Sequence, residues 1–331
     1  MPLEIITGSI VEQKTDIIVS CNNSKMIAVG GNSLAIFNKI GYRKAKKLTK
    51  DYRNLKTAEI AVTSGFDLCQ KIIHVVSPIY DESSDNNEEL LFAAYNNVLN
   101  KAKELFANSI SFPLLSADGN NYPKQLALDI AIKAIGSFIK DNEIDVKLVL
   151  LPEEKSNEVK YPELHRLINE AKTEKEEKRD FKAASHRLGM MVAGDLAKEA
   201  FDFCEYQEAD LEDYLDKMDI SFSKTVLKLI DEKGYTDSEV YKRANLDRRV
   251  FSKLRSSDDY QPSKTTAIAL AFALKLSASQ TDDLLLKAGY SLSKSNIADI
   301  IVRYCLNSEI YDIYEVNETL FKYNQKQLGS L

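Results

Sequence analysis

Between Thr15 and Gly41 the chain reads TDIIVSCNNSKMIAVGGNSLAIFNKIG: a β-branched run, paired asparagines, a small-residue loop carrying Gly30 and Gly31, and then apolar residues at helical spacing. A strand that runs through a short glycine-bearing loop into a helix is the unit from which layered α/β sheets are built. The same order constrains chemistry. Backbone N–H groups in such a loop, backed by the positive end of a helix dipole, face an anion and suit a phosphorylated nucleotide.

The pattern repeats through the first half. Strands are predicted near Leu3–Ile6, Asp16–Ser20, Glu59–Thr63, Lys71–Val76, Ser109–Leu115 and Asp145–Leu151, with helices around Ser33–Asn54, Asn87–Phe106 and Pro123–Lys140. This alternation predicts a three-layer α/β domain, in which ligands bind beyond the carboxyl ends of strands. Both the Asn-rich loop and the loop SADGNN directly follow strands.

Thr15–Gly41, Glu59–Leu68 (EIAVTSGFDL), Lys71–Tyr80 (KIIHVVSPIY) and Ser109–Pro123 (SISFPLLSADGNNYP) together resemble, in order and spacing, the macrodomain family, whose members bind ADP-ribose or its relatives. The resemblance covers residues 1–152 and implies a three-layer α/β fold with a mixed central sheet. The family's Gly-Asp-Ile turn, whose carboxylate holds the adenine amino group, stands here as Gly8, Ser9 and Ile10; Ser9 accepts a hydrogen bond but carries no charge. The VNAAN segment falls on Val19, Ser20, Cys21, Asn22 and Asn23, and the resemblance places Asn23 on the distal ribose. A turn-forming role for Asn23 is the alternative. Gly30 and Gly31 take the family's loop positions, followed by Asn32 and Ser33. Hydrolytic members often carry an acidic residue at the Ser33 position, where it helps activate water, and neither Asn32 nor Ser33 is a general base. His74 lies inside an apolar strand and reads as a buried structural histidine. In the second loop, Ser116, Ala117, Asp118, Gly119, Asn120, Asn121 and Tyr122 stand where the family has a glycine-rich phosphate loop. Asp118 and Asn121 take the two glycine positions unless a one-residue shift brings in Gly119, and Tyr122 either walls the ribose or packs in the core.

The implied function is binding of ADP-ribose or a related NAD-derived nucleotide, without assigned catalytic residues, cofactor or metal. The alternatives are an ADP-ribosyl hydrolase and a scaffold that keeps the fold without the nucleotide. A net charge of −6 excludes wholesale capture by nucleic acid or anionic lipid and leaves any such contact local. Cys21, Cys69, Cys204 and Cys305 lack zinc or CxxC spacing and read as reduced thiols. No signal-like or membrane-length apolar run appears, so the expected location is cytoplasmic, away from membranes.

At 331 residues a second domain is expected. Residues 153–220, with the charge run AKTEKEEKRDFK, read as a helical connector, and residues 221–331 as an all-α domain. Gly234 stops one helix, Thr236 caps a second and Asp247 a third, with further helices at Pro262–Leu276, Gln280–Ala288 and Ser295–Leu306. The third helix carries Arg248, Arg249, Ser252, Lys253 and Arg255 on one face. It resembles, loosely, the recognition helix of a phage-repressor-type helix-turn-helix that binds double-stranded DNA. Protein contact or homodimerisation through the same helices is the alternative.

Overall fold

The computed structural model describes residues 2–28, 30–52, 54–117, 119–154, 160–173, 220–257 and 260–329. Most of the expected connector, together with Asp118 and Cys204, lies outside the described residues.

Six strands, β1 (Leu3–Thr7), β2 (Ile17–Asn22), β3 (Ile60–Ser64), β4 (Lys71–Val76), β5 (Ser109–Pro113) and β6 (Asp145–Leu150), form one sheet in the order β1-β6-β5-β2-β4-β3. All neighbours are parallel except β3 and β4, so the sheet is mixed. Helices α1 (Gly30–Ile40) and α2 (Tyr42–Leu48) and helices α3 (Asn87–Glu104) and α4 (Lys124–Ile139) connect the strands. Alternation along the strands sorts the apolar side chains onto two faces. Ile18, Ile72 and Val149 pack with Ile36, Phe37 and Ala45 of α1 and α2, whereas Val19, Ile73 and Leu148 pack with Leu91, Tyr95 and Ile135 of α3 and α4. The expected three layers are present. The single helix expected over Ser33–Asn54 is two helices, because Gly41 takes φ +93°, a conformation an α-helix does not contain.

The described C-terminal residues are helical: α5 (Phe222–Lys233), α6 (Asp237–Arg243), α7 (Arg248–Ser256), α8 (Lys264–Ala273), α9 (Ala278–Lys287), α10 (Ile297–Asn307) and α11 (Ile313–Lys322). Their ends follow local chemistry. Gly234 closes α5 in the left-handed conformation, Thr236 and Glu239 form a reciprocal capping box on α6, and the Asp247 carboxylate accepts from the Arg249 N–H to start α7.

This helical half shares its core with the sheet domain and seals the free edge of β1. The Asn245 amide accepts from Leu3 N–H at 2.7 Å and donates to Leu3 C=O at 3.0 Å. The Gln327 amide treats Ile5 in the same way, at 3.1 and 2.6 Å. Two side-chain amides thus supply the bonds that a further strand would make, and the exposed-edge hazard is removed. On the neighbouring face α4 brings Gly136 against the Tyr314 ring of α11, where a Cβ would lie 3.0 Å from a ring carbon. Glu318 of α11 is buried there and faces Lys160 and Lys322 at 3.2 and 3.0 Å.

Candidate ligand-binding cleft

A cleft of about 530 Å³ opens where β2, β4 and β5 end. Its walls come from Cys21–Ser24 at the end of β2, Leu55–Thr57 before β3, Val76–Ile79 at the end of β4, Ser116 and Asn120 after β5, and Leu90 of α3. Cleft volumes of this size suit a nucleotide-sized ligand.

The loop after β2 is shaped by its own asparagines. Asn23 Oδ1 accepts from the N–H groups of Lys25 and Ile27 at 3.0 and 3.1 Å, an Asx-type turn, while its Nδ2 donates to no described residue. The turn is pinned from outside by Asn54 N–H on Ser24 C=O and by the Thr49 hydroxyl on Met26 C=O. Asn22 points beneath the floor, where its Oδ1 lies 3.1 Å from His74 Nδ1. A carboxamide oxygen only accepts, so Nδ1 carries the proton and Nε2 accepts from the Thr63 hydroxyl at 2.9 Å. Burial pushes the His74 imidazole down to about 4, so it is neutral and both ring nitrogens are occupied. It acts as a structural bridge between β2, β4 and β3.

The opposite wall is stitched by Asn120, whose Nδ2 donates to the carbonyls of Ser77 and Pro78 and whose own carbonyl accepts from Tyr80 N–H. Ser116, Gly119 and Asn121 all have φ between +61° and +83°, so this loop uses the left-handed conformation three times. Asn121 is thus one of the few non-glycine residue types that tolerate its position. The hydroxyls of Ser77 and Ser116 are buried in the wall without a partner among the described residues.

Of the residues expected in the site, Asn22, Asn23, Ser116 and Asn120 meet in this cleft. The other described residues lie outside this wall. Ser9 precedes a short turn and its carbonyl accepts from Gln13 Nε2, while Ile10 is fully buried beside Ile18 and Ile36. Gly30, Gly31, Asn32 and Ser33 open α1, with Asn32 and Ser33 buried. Ala117 packs on the main core, Gly119 and Asn121 shape the loop, and Asp118 is outside the described residues. Tyr122 is buried, with its hydroxyl on Asn87 C=O at 2.8 Å and its ring edge-on to Tyr80. Sequence reasoning missed Lys56, Thr57, Ile79 and Leu90, which converge from three separate segments and follow no spacing rule. Among the described residues no Asp, Glu or His lines the cleft, and no cluster of three metal-ligating side chains occurs.

In the helical half, the exposed face of α7 carries Arg248, Arg249, Ser252, Lys253 and Arg255 as expected. Arg249 is paired with Asp247 at 3.1 Å and Arg255 with Asp237 at 2.6 Å.

Residues 19–131 match the Macro domain family model. A macro domain-containing protein of Methanosarcina mazei is 30% identical over 150 residues, which are 45% of this chain and 80% of the relative. An O-acetyl-ADP-ribose deacetylase of Escherichia fergusonii is 26% identical over 166 residues, 49% of this chain and 94% of that protein. A solved structure of the Oceanobacillus iheyensis macrodomain with ADP is 35% identical, covers 46% of this chain and 84% of that one, and superposes with a TM-score of 0.43. With four-fifths of the Methanosarcina mazei relative matched at 30% identity, and residues 19–131 matching the family model, this chain belongs to the macro domain family.

Proposed function

We propose that the cleft binds ADP-ribose or a closely related NAD-derived nucleotide, and that it binds without efficient turnover. One observation carries this reading: in a wall whose amides are otherwise spent on backbone, the hydroxyls of Ser77 and Ser116 have no described partner. Buried polar groups left unpaired cost about 1–3 kcal/mol each, a cost that a polyhydroxylated ligand offsets once the two hydroxyls turn to face it. Asn23 Nδ2 adds a donor at the end of β2 and Lys56 a cation at the rim. The kinship with a protein named as an O-acetyl-ADP-ribose deacetylase points to the same ligand chemistry. Binding is favoured over hydrolysis because, among the described residues, neither a carboxylate nor an imidazole lines the cleft, and His74 has both nitrogens engaged beneath it.

For the helical half, duplex DNA or a protein partner on α7 is the proposal carried from the sequence. Two of its four cations already face carboxylates, which supports protein contact over phosphate neutralisation.

Calorimetric titration with ADP-ribose tests the cleft. Asn23→Ala should weaken binding by about 1–3 kcal/mol through loss of the ligand bond and the turn. Asn23→Asp keeps the acceptor that holds the turn, replaces the donor by a second acceptor and adds a negative charge, so it should bind an anionic nucleotide poorly while unfolding like the native chain. Wild-type affinity in both variants would remove Asn23 from the site. Release of ADP-ribose from modified protein should be slow, since general acid–base assistance contributes about 10²–10⁴-fold. Fast release would make the hydrolase reading the correct one.

A further inference from the structure

Residues 39–56 carry eight lysines and arginines against one carboxylate, Asp51, in a chain whose net charge is −6. The segment forms the end of α1, all of α2 and the turn that leads to the cleft. Lys39, Arg43, Lys44, Lys46, Lys47 and Lys50 are all exposed, and none is ion-paired with a described carboxylate. Lysines in the last turn of α2 complement its dipole, but Lys46 and Lys47 suffice for that, and the rest of the cluster has no structural use of this kind. Like-signed blocks of this density repel one another and persist where a polyanion neutralises them. Aromatic rings interleave with the charges: Tyr42, Tyr52 and Phe66 are each more than a third exposed, and the Lys44 ammonium lies 4.2 Å from the Phe66 ring centroid. At its far end Lys56 lines the rim of the cleft.

We propose that this lobe binds single-stranded nucleic acid, with phosphates on the α2 cations and unstacked bases on the exposed rings. Cations interleaved with stacking platforms are the chemistry of single-strand recognition, whereas a partner of acidic peptide would use the charges and leave the rings idle. A duplex, with its bases already stacked, would leave them idle as well. The lobe acts independently of nucleotide in the cleft, so this inference goes beyond the cleft reading.

The test is fluorescence anisotropy of the full chain with labelled single-stranded DNA and RNA of about 20 nucleotides, the matching duplex, and polyglutamate as competitor. Engagement of about four phosphates predicts an affinity loss of about 50-fold between 50 and 200 mM salt. Arg43→Glu combined with Lys46→Glu and Lys47→Glu should weaken strand binding at least ~10-fold, each neutralised phosphate contributing to the salt slope. Arg248→Glu with Lys253→Glu on α7 should leave it unchanged, and ADP-ribose affinity should be unchanged in the α2 variant, whose fold is checked by circular dichroism. Tyr42→Ala with Tyr52→Ala should weaken the strand and spare the salt slope. Three outcomes overturn the proposal: no strand binding at low salt, equal binding by the α2 variant, or a larger loss from the α7 pair. Duplex bound as tightly as the strand and equally weakened in the α2 variant, or polyglutamate competing as well as nucleic acid, would also overturn it and leave a groove reader or an acidic protein in its place.

Discussion

The β1 edge and the cleft both bury polar side chains, and they treat them in opposite ways. At the edge, Asn245 and Gln327 spend both atoms of their amides on the backbone of Leu3 and Ile5, and Asn317 spends both of its own on Leu328. In the cleft, Ser77 and Ser116 keep buried hydroxyls without a described partner. Because an unmade buried hydrogen bond is costly, side-chain amides paired twice with backbone make the β1 edge a firm joint, whereas the cleft wall leaves two bonds unmade. The helical half is therefore joined to the sheet as part of one folded unit, while the cleft wall is consistent with the ligand site proposed above.

The contrast is broken most forcefully at the joint. Asn245→Ala or Gln327→Ala strands one buried N–H and one buried C=O of β1, and each should cost about 2–4 kcal/mol in urea-induced unfolding. An unchanged midpoint would show that the seam contributes nothing to the union of the halves. A smaller effect comes from the floor of the cleft. The folded protein holds His74 near 4 against an ordinary value of 6.5, so below pH 6.5 the unfolded chain takes up a proton that the folded chain refuses. Stability from this group is complete above pH 6.5 and falls as pH drops towards 4, by at most about 3 kcal/mol. His74→Gln should flatten that part of the pH profile, and an identical slope in variant and native chain would move the acid sensitivity elsewhere. The smallest effect should be on stability in Ser77→Ala, which removes an unpaired hydroxyl and leaves unfolding within about 0.5 kcal/mol of the native chain while lowering ADP-ribose affinity. A clear destabilisation without loss of affinity would make Ser77 part of the scaffold.

Local signals carried much of the fold. Gly234, Thr236 and Asp247 each announce a helix end by a mechanism confined to four residues, and all three act as expected. Gly41 escaped notice because a glycine within a helical pattern is tolerated often enough to be read through, and only its φ shows the break. The site was legible where it follows a strand directly, as at Asn22 and Asn23. It was not legible where Lys56, Ile79 and Leu90 arrive from separate loops. For Asn23 the sequence offered ribose contact or turn formation, and the geometry gives its oxygen to the turn and leaves its nitrogen over. The cations of residues 39–56 are plain in the sequence, yet the lack of described carboxylate partners for Lys39, Arg43, Lys44, Lys46, Lys47 and Lys50 is a property of three dimensions, as are the ion pairs that occupy Arg249 and Arg255. Nothing near Leu3 or Ile5 hints that their partners stand 242 and 322 residues away.

That last separation has a consequence for how the molecule is made. β1 leaves the ribosome well before the amide that completes its outer edge, 322 residues further on and followed closely by Gly329, whose φ of +73° and contact with the carbonyls of Ala244 and Asn245 seat the closing turn. At about 5–20 residues per second, an open strand edge waits on the order of tens of seconds for its cover. During that interval the nascent sheet presents an unpaired template to any neighbouring chain, so chaperone occupancy, crowded polysomes and premature termination after β6 should decide the yield of soluble protein more than the stability of the finished fold does.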